Sequence, residues 1–290
     1  VLSNTWQAPT CRSQELERLC RHCADGNPAL CENASMGASR RGVGGGWGDG
    51  FTAHVTDVYR LPDELDDETA VLLEPLSVGV HTALRRLPQS HEQALVLGSG
   101  IIGLTAIQAV RALSPNCHIT AMARYPHQGK MARTLGADEV VADGDPYVRT
   151  AEITGGKLYT GMFGNRMVLG GFDVVYDCIG SGRTVQDSLR WARAGGTVVL
   201  TGVSLAPMKV DLTPVWHQEV SLMGTMVHGM ETWKAGRQPT FDLACNLLLG
   251  TNITASGLIT HHFPLSRWKE AVRTAADKRS GAIKVVFDYR

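Results

Sequence analysis

The sequence predicts an α/β protein whose core is a doubly wound parallel sheet. A short apolar run at residues 94–97 leads through a glycine-rich turn into a segment with helical spacing. Further short apolar runs alternate with helical segments as far as about residue 227. Such alternation is typical of parallel sheets that carry helices on both faces.

The composition is that of an ordinary globular protein of one large or two moderate domains. Of the 290 residues, 43% are hydrophobic and 19% are charged, and the formal net charge is zero. That balance gives no electrostatic reason to expect nucleic acid or an anionic membrane as a partner. The printed chain shows no signal-peptide pattern, so we expect a cytoplasmic, reducing location. Its seven cysteines then need an explanation other than disulfides.

Four of the cysteines lie within the first 31 residues, at Cys11, Cys20, Cys23 and Cys31. Four thiolates in a short lobe punctuated by glycine and proline can close a tetrahedral zinc site, which would be structural because it has no open position. The alternative is a group of reduced thiols that hold no metal. The spacing favours the zinc site.

The region before the glycine-rich turn predicts mixed local structure. Residues 40–51 are glycine-dense and predict close-packed turns, and residues 53–61 alternate roughly as a strand does. Residues 62–68 predict a turn into a helix, and Pro75 suits the first position of the next helix. Glu74 precedes that helix. Its carboxylate either lies in an apolar setting or is exposed to water as an acidic residue at the amino end of the helix.

The turn itself has the spacing Gly98-x-Gly100-x-x-Gly103 between a predicted strand and a predicted helix. Gly98 allows the tight turn, Gly100 lets the backbone approach a pyrophosphate, and Gly103 lets the helix pack against the strand. The amino end of the helix offers free N–H groups to the phosphates. A membrane span over residues 93–113 is the alternative, and the glycines and polar side chains within it argue against that. The turn therefore predicts dinucleotide binding.

The residue that binds the adenosine ribose is expected about 20 positions after Gly103, the last glycine of the turn. That count leads to Ala123, followed by Arg124 and Tyr125. An acid there would bind the 2′-hydroxyl and repel a 2′-phosphate, whereas a small residue beside an arginine does the opposite. The sequence therefore predicts NADP(H) in preference to NAD(H), with Arg124 as the phosphate partner. The alternative is a solvated arginine, with the ribose held by another residue.

Ligands of parallel sheets lie outside the carboxyl ends of the strands. Strands are predicted at residues 118–122, 137–141, 172–178, 196–202 and 220–227, and helices at 130–135 and 184–192, while residues 147–170 predict an irregular insertion. Beyond the sheet, residues 241–249 and 266–276 predict helices, and residues 259–263 and 282–287 predict strands. The predicted cofactor site is Gly98, Gly100, Ile101, Ile102, Gly103, Ala123, Arg124, Tyr125, Ile179, Gly180, Thr201, Gly202, Val203 and Thr225.

Several motifs in a fixed order extend over nearly the whole chain. They are Cys20-x2-Cys23-x7-Cys31, the glycine stretch at 45–48, LEPLSVGVH at 73–81, the glycine turn, LGAD at 135–138, DVVYDCIG at 173–180 and LITH at 258–261. In this order they resemble the zinc-containing medium-chain alcohol dehydrogenases. The stretch at 73–81 is most similar to the polyol (sorbitol-type) and threonine dehydrogenase branch.

The resemblance implies a Rossmann dinucleotide-binding domain at residues 89–227. It also implies a partial GroES-like small-β catalytic domain from residues 1–88 and 228–290, with a structural zinc lobe at 11–31. The implied activity is hydride transfer between an alcohol or polyol and a nicotinamide ring, with a catalytic zinc that polarises the alcohol oxygen. The implied substrate lies near Glu74, and the implied assembly is a homo-oligomer, either a dimer or a tetramer.

The sequence departs from the family pattern at its metal sites. Where the family has a further lobe cysteine, this chain has Glu17, so the fourth structural ligand is Cys11, or Glu17 through oxygen, or the lobe is metal-poor. The family's Gly-His-Glu motif for the catalytic zinc is missing, and Glu74 alone matches that neighbourhood. We therefore expect an amino-terminally truncated protein with weak zinc-dependent turnover. The alternatives are a non-catalytic NADPH-binding sensor and a zinc-free quinone reductase.

Overall fold

The computed structural model describes residues 2–3, 10–34, 47–48, 50, 52–234 and 236–289. The chain divides into two compact units, of which one comprises Val1–Ser77 with Met226–Arg290 and the other comprises Val78–Thr225. We call them the terminal unit and the central unit. The predicted glycine-dense turns at residues 40–51 lie mostly outside the described residues.

The elements are labelled in chain order. The strands are β1 (Leu2–Ser3), β2 (Val58–Tyr59), β3 (Gln93–Leu97), β4 (His118–Met122), β5 (Glu139–Val141), β6 (Lys157–Thr160), β7 (Arg166–Leu169), β8 (Phe172–Asp177), β9 (Ala192–Leu200), β10 (Ser221–Gly224), β11 (Met230–Trp233), β12 (Gly236–Pro239), β13 (Ile259–Pro264) and β14 (Lys284–Asp288). The helices are α1 (Arg21–Ala24), α2 (Asp67–Ala70), α3 (Leu73–Arg85), α4 (Ile101–Leu113), α5 (Pro126–Thr134), α6 (Pro146–Thr154), α7 (Gly182–Trp191), α8 (Thr213–His217), α9 (Thr240–Leu249) and α10 (Trp268–Ala276).

The central unit contains a six-stranded sheet in the order β10-β9-β8-β3-β4-β5, and every pairing in it is parallel. The chain enters at β3, runs outward through β4 and β5, and then returns beside β3 to continue through β8, β9 and β10. The direction of winding therefore reverses between β3 and β8, which makes that boundary the topological switch point. The predicted doubly wound parallel sheet is confirmed.

Apolar strands buried on both faces hold this sheet together. In β3 the side chains of residues 94–97 are buried, and in β8 those of residues 174–176 are completely inaccessible. A core cluster joins these strands to the helices through residues such as Phe172, Leu189 and Trp191. Because helices cover both faces, the strands have continuous apolar runs rather than an alternating pattern.

The terminal unit is built from small two-stranded pairings and helices. Strands β11 and β12 form an antiparallel hairpin, whereas β13 and β14 pair in parallel. Tyr59 stacks on Phe241, with ring centroids 5.0 Å apart, and its hydroxyl donates to Asp242 at 2.6 Å. The cysteine-containing lobe is fastened to β11 because the Met230 amide donates to the Asn27 side chain at 2.8 Å.

The predicted irregular insertion at residues 147–170 is wrong, because the structure forms α6 followed by the antiparallel hairpin of β6 and β7. Asp145 caps α6 by accepting from the amide of Tyr147 at 2.9 Å, and the left-handed Gly155 ends the helix. Every residue of β6 is exposed, so the strand leaves no alternating apolar pattern in the sequence.

Two smaller predictions near residue 60 also need correction. The predicted strand at residues 53–61 is a 3₁₀ turn at Val55–Asp57 followed by the two-residue strand β2, because the His54 side chain accepts from the Thr56 amide and starts the turn. Helix α3 begins at Leu73, two residues before the predicted Pro75. Proline is tolerated there because the first-turn N–H groups have no intrahelical acceptor. Among the described residues, no helix is both long and apolar enough to cross a membrane.

Candidate functional site

The three glycines of the turn meet three different surroundings. Gly98 has a φ of +93°, and a Cβ there would lie 2.5 Å from Ile179 Cγ1. A Cβ on Gly103 would lie 1.8 Å from the carbonyl oxygen of Gly98, so only glycine lets α4 start this close to the turn. A Cβ on Gly100 would meet nothing within 4 Å, and Gly100 is exposed. The turn is thus packed on its inner side and open at Gly100.

The start of α4 presents free amides beside the open position. The first backbone hydrogen bond of α4 is donated by the Leu104 amide to the Gly100 carbonyl at 2.9 Å. The amides of Ile101, Ile102 and Gly103 precede that bond, and both isoleucines are partly exposed. A 13-residue helix with such an end carries positive partial charge there, which suits an anionic group.

The end of β4 lies beside the turn, since the Gly98 amide donates to the Met122 carbonyl at 3.2 Å. Ala123 is 2% exposed, so its methyl group leaves no room there for a larger side chain. Arg124 is exposed, and its guanidinium carbon lies 5.8 Å from the ring centroid of Tyr125. No salt bridge to Arg124 occurs among the described residues.

The ends of β8 and β9 lie on the other side of the turn. The Cys178 amide donates to the Leu97 carbonyl at 3.0 Å, and the Thr201 hydroxyl donates to the Thr82 hydroxyl at 3.3 Å. Ile179 is 46% exposed and Val203 is 79% exposed.

After β10, the Thr225 amide donates to the Leu200 carbonyl at 3.1 Å, and its buried hydroxyl has no hydrogen-bond partner within the described ranges. The structure therefore places all the predicted cofactor residues at or just beyond the carboxyl ends of β3, β4, β8, β9 and β10.

Glu74 is the second residue of α3 in the terminal unit and is half-buried between fully buried leucines. Burial raises the pKa of its carboxyl group above the usual range, and the positive charge of Lys284 opposes that shift. Across the described ranges, Glu74 belongs to no group of potential metal ligands. The structure thus gives it an apolar setting without metal-binding neighbours.

The four lobe cysteines form one cluster, in which the sulfur atoms all lie within 4.8 Å of one another. The Cys11 sulfur lies 3.6 Å from that of Cys31, and the Cys20 sulfur lies 4.0 Å from that of Cys31. A zinc ion with four Zn–S bonds of about 2.3 Å holds its sulfurs about 3.8 Å apart at the corners of a tetrahedron. The distances therefore fit zinc. Glu17 is exposed and lies outside the cluster.

Polar groups beside the cluster favour the thiolate form of Cys11 and of Cys20. The Asn33 side-chain amide donates to the Cys11 sulfur at 3.1 Å, and the Cys20 backbone amide donates to the same sulfur at 3.3 Å. These donors lower the pKa of Cys11 to about 6, while burial raises the pKa of Cys23 and of Cys31. The hydrogen bond from Asn33 to the Cys11 sulfur was not predicted from the sequence. No spacing rule assigns such a role to an amide side chain two residues after a cysteine, here Cys31.

Comparisons with known proteins agree with these features. The family model described as zinc-binding dehydrogenase matches residues 102–241. Sorbitol dehydrogenase of Arabidopsis thaliana is 31% identical over 275 residues, which are 93% of this chain and 69% of the relative. L-idonate 5-dehydrogenase of Vitis vinifera is 31% identical over 232 residues, which are 79% of this chain. That match spans only 58% of the grape protein's length.

A solved structure from Escherichia coli CFT073, described as a short chain alcohol dehydrogenase complexed with NADH, is similar in fold. Its TM-score is 0.75 at 18% identity, and the match covers 98% of this chain and 75% of that chain. At this identity the likeness shows the fold alone.

Proposed function

The chain belongs to the zinc-binding, medium-chain alcohol dehydrogenase family, and we propose that it transfers a hydride between a small alcohol or polyol and NADP(H). The observation that carries the proposal is the turn at Gly98–Gly103, which is closed on its inner side and open at Gly100 beside the free amides of α4. A pyrophosphate needs both of these features, namely close backbone approach and N–H donors. The turn and the first amides of α4 would hold the pyrophosphate of the dinucleotide, whose nicotinamide would supply the hydride-transfer chemistry.

The preference for NADP(H) rests on the end of β4. The buried methyl group of Ala123 offers no carboxylate to a ribose 2′-hydroxyl, and the exposed guanidinium of Arg124 is free of carboxylate partners within the described ranges. An exposed arginine next to the ribose position can bind a 2′-phosphate through charge-assisted hydrogen bonds. The similar E. coli structure contains NADH, but its low identity leaves the cofactor of this chain to be decided by these residues.

For the cysteine lobe we propose a structural zinc ion held by Cys11, Cys20, Cys23 and Cys31. The support is the sulfur cluster, its tetrahedral spacing and the amide donors on Cys11. A closed four-sulfur site would cross-link the lobe and leave no position for a substrate. None of the seven cysteines, all of which lie in the described part of the chain, forms a disulfide. We propose a cytoplasmic, reducing location for the chain.

The proposed turnover of this polypeptide is weak. Its sequence has no Gly-His-Glu, and among the described residues the lobe is the one group of potential ligands that could hold a metal ion. Glu74, a half-buried carboxyl group whose pKa is raised by burial, is the residue that we propose for the region of the substrate. The same observations favour a second candidate function, namely an NADPH-binding protein that does not turn over substrate.

A homo-oligomer, either a dimer or a tetramer, is the assembly that the family resemblance implies and that we propose. Strand β10 is an edge strand of the central sheet, and three of its four residues are exposed. An uncovered edge of this kind is available for pairing with another chain. Light scattering of the purified protein measures the assembly directly.

The test uses zinc-loaded protein with NADP⁺ and a panel of alcohols and polyols, and it follows formation of the dihydronicotinamide. We expect slow but measurable oxidation. Robust zinc-dependent oxidation would contradict weak turnover, and NADPH binding without any turnover on the panel would favour the second candidate.

The cofactor preference is tested by Arg124→Ala, which should weaken NADPH binding and leave NADH binding unchanged. Arg133→Ala, which removes an exposed arginine of α5, is the matched control and should change neither. Unchanged NADPH affinity in Arg124→Ala would contradict the proposed phosphate contact.

A further inference from the structure

Asp177, the last residue of β8, has a buried carboxylate that organises the turn after it. The residue is completely inaccessible to solvent. Its Oδ1 atom accepts from the amide of Ile179 at 2.9 Å and from the amide of Gly180 at 3.0 Å. Two hydrogen bonds to one carboxylate oxygen fix the backbone of the turn, whose Gly180 adopts a φ of +74°.

The main chain of Asp177 also holds the loop after β9. Its carbonyl oxygen accepts from the amide of Thr201 at 2.9 Å and from the amide of Gly202 at 2.8 Å. The two loops touch, because a Cβ on Gly180 would lie 2.2 Å from the Gly202 carbonyl oxygen. Any movement of the turn after β8 must therefore displace the loop after β9.

The turn fixed by Asp177 lies at the switch point of the sheet. Ile179 packs against Gly98, where a Cβ would lie 2.5 Å from the isoleucine Cγ1. In the sheet order, β4 with Arg124 lies on one side of β3, whereas β8 and β9 lie on the other. A dinucleotide whose pyrophosphate lies at the β3 turn and whose adenosine half lies toward β4 must place its nicotinamide half over the ends of β8 and β9.

We propose that Asp177 is a positioning residue for the nicotinamide half of the cofactor, acting through Ile179, Gly180 and Gly202 without touching the cofactor itself. The inference rests on the proposed dinucleotide function. Burial supports a dedicated role, because the Asp177 carboxyl group is completely inaccessible and burial raises its pKa, against the opposing effect of the amide donors of Gly180 and Ile179. Burial of a carboxyl group opposes folding unless its polar atoms are hydrogen-bonded. The two amides that donate to Oδ1 therefore offset part of the cost of burying Asp177.

The experiment compares side chains of matched shape at position 177. Asp177→Asn keeps an oxygen acceptor for both amides, Asp177→Leu keeps the branched shape without an acceptor, and Asp177→Ala removes both. The ligands are NADPH and the fragment 2′,5′-ADP, which lacks the nicotinamide half, with NADH and ADP run in parallel. Binding is measured by calorimetry, and folding by circular dichroism and thermal unfolding.

We expect Asp177→Leu to weaken NADPH binding about tenfold or more, because two charge-assisted hydrogen bonds that order the turn are lost. Asp177→Asn should bind NADPH within about threefold of the natural protein, because a neutral acceptor remains. Every variant should bind 2′,5′-ADP as the natural protein does. If Asp177→Ala fails to fold, the shape-conserving leucine and asparagine variants still give the comparison.

Asp173→Ala is the matched control, because Asp173 is an aspartate of the same strand and also accepts a backbone amide, that of Gln93 at 2.8 Å. It lies toward the amino end of β8, so it should lower thermal stability and leave NADPH affinity unchanged. Equal loss of NADPH and 2′,5′-ADP binding in Asp177→Leu, or no loss of either, would overturn the positioning role. If the natural protein binds neither NADPH nor NADH, the proposed function itself fails.

Discussion

Replacement of Gly100 by alanine should separate cofactor binding from folding. Gly100 adopts an extended conformation, with φ −76° and ψ −173°, which alanine also adopts, and an added Cβ meets nothing within 4 Å. Alanine is a poorer N-cap than glycine by up to about 1 kcal/mol. It also reduces the freedom of the unfolded chain, which returns about 0.4–1 kcal/mol. The net change in unfolding free energy should be within about 0.5 kcal/mol, or about 1–2 °C in Tm.

The effect of Gly100→Ala on binding should be much larger. The methyl group would occupy the open space through which the backbone approaches the pyrophosphate, and so at least one hydrogen bond to a charged oxygen would be lost. Such a bond contributes about 1.5–3 kcal/mol, which corresponds to about 10- to 150-fold in affinity. NADPH binding is followed by the fluorescence of the dihydronicotinamide, and stability by thermal unfolding.

The matched control is Gly236→Ala, which also places a methyl group where nothing lies within 4 Å and at a φ outside the left-handed region. It belongs to the terminal unit, so it should leave NADPH affinity unchanged and raise the free energy of unfolding by about 0.4–1 kcal/mol, because alanine reduces the freedom of the unfolded chain and no N-cap is lost. Natural NADPH affinity in Gly100→Ala, with the fold intact, would refute the assignment of the turn to a pyrophosphate.

Three further predictions concern the metal lobe and the ionisable groups. Cys11→Ser should reduce bound zinc, measured by mass spectrometry, from about one equivalent to well below it; Glu17→Gln should leave it unchanged, and the reverse result would make Glu17 the ligand. The pKa of Asp211 is held below its usual range by hydrogen bonds from the hydroxyl and amide of Thr213, by Arg190 and by Asn165. Its contribution to stability is therefore present above pH ~4 and lost as the pH falls further. Asp211→Asn should unfold at lower urea than the natural protein at pH 7, and the difference between the two urea midpoints should narrow as the pH falls from 4 toward 2; a difference that stays constant over that range would contradict this. Because burial raises the pKa of Glu74, its charged form opposes folding above that pKa. Glu74→Gln should therefore raise the urea midpoint at pH 7, with convergence below pH ~4; a lower midpoint at pH 7 would contradict this.

The sequence contained enough information for the turn and the sheet, because both depend on local patterns. The glycine spacing between an apolar run and a helical segment predicted the strand, turn and helix that β3 and α4 form. The repeated buried runs predicted a parallel sheet, since strands covered on both faces need not alternate. Membership of the dehydrogenase family is likewise confirmed.

Features that depend on non-local contacts could not be predicted. The hairpin of β6 and β7 is defined by cross-strand pairing, such as Lys157 with Leu169, and the exposed residues of β6 give no burial pattern. Spacing alone left Cys11 and Glu17 as alternatives, whereas the folded lobe brings the Cys11 sulfur to Cys31. The role of Asp177 depends on a turn that bends back so that two amides reach one oxygen.

The assignments of individual site residues and the cofactor preference stay predictions. Among the site residues, the structure gathers the four sulfurs and aligns the strand ends. The domain limits at residues 89 and 227 also stay predictions.

The central claim is that the Gly98–Gly103 turn binds the pyrophosphate of a nicotinamide dinucleotide. Calorimetric titration of the purified chain with NADPH, and separately with NADH, tests it most directly. We predict saturable binding of NADPH with one site per chain and weaker binding of NADH. Absence of binding by both dinucleotides to the folded protein would contradict it.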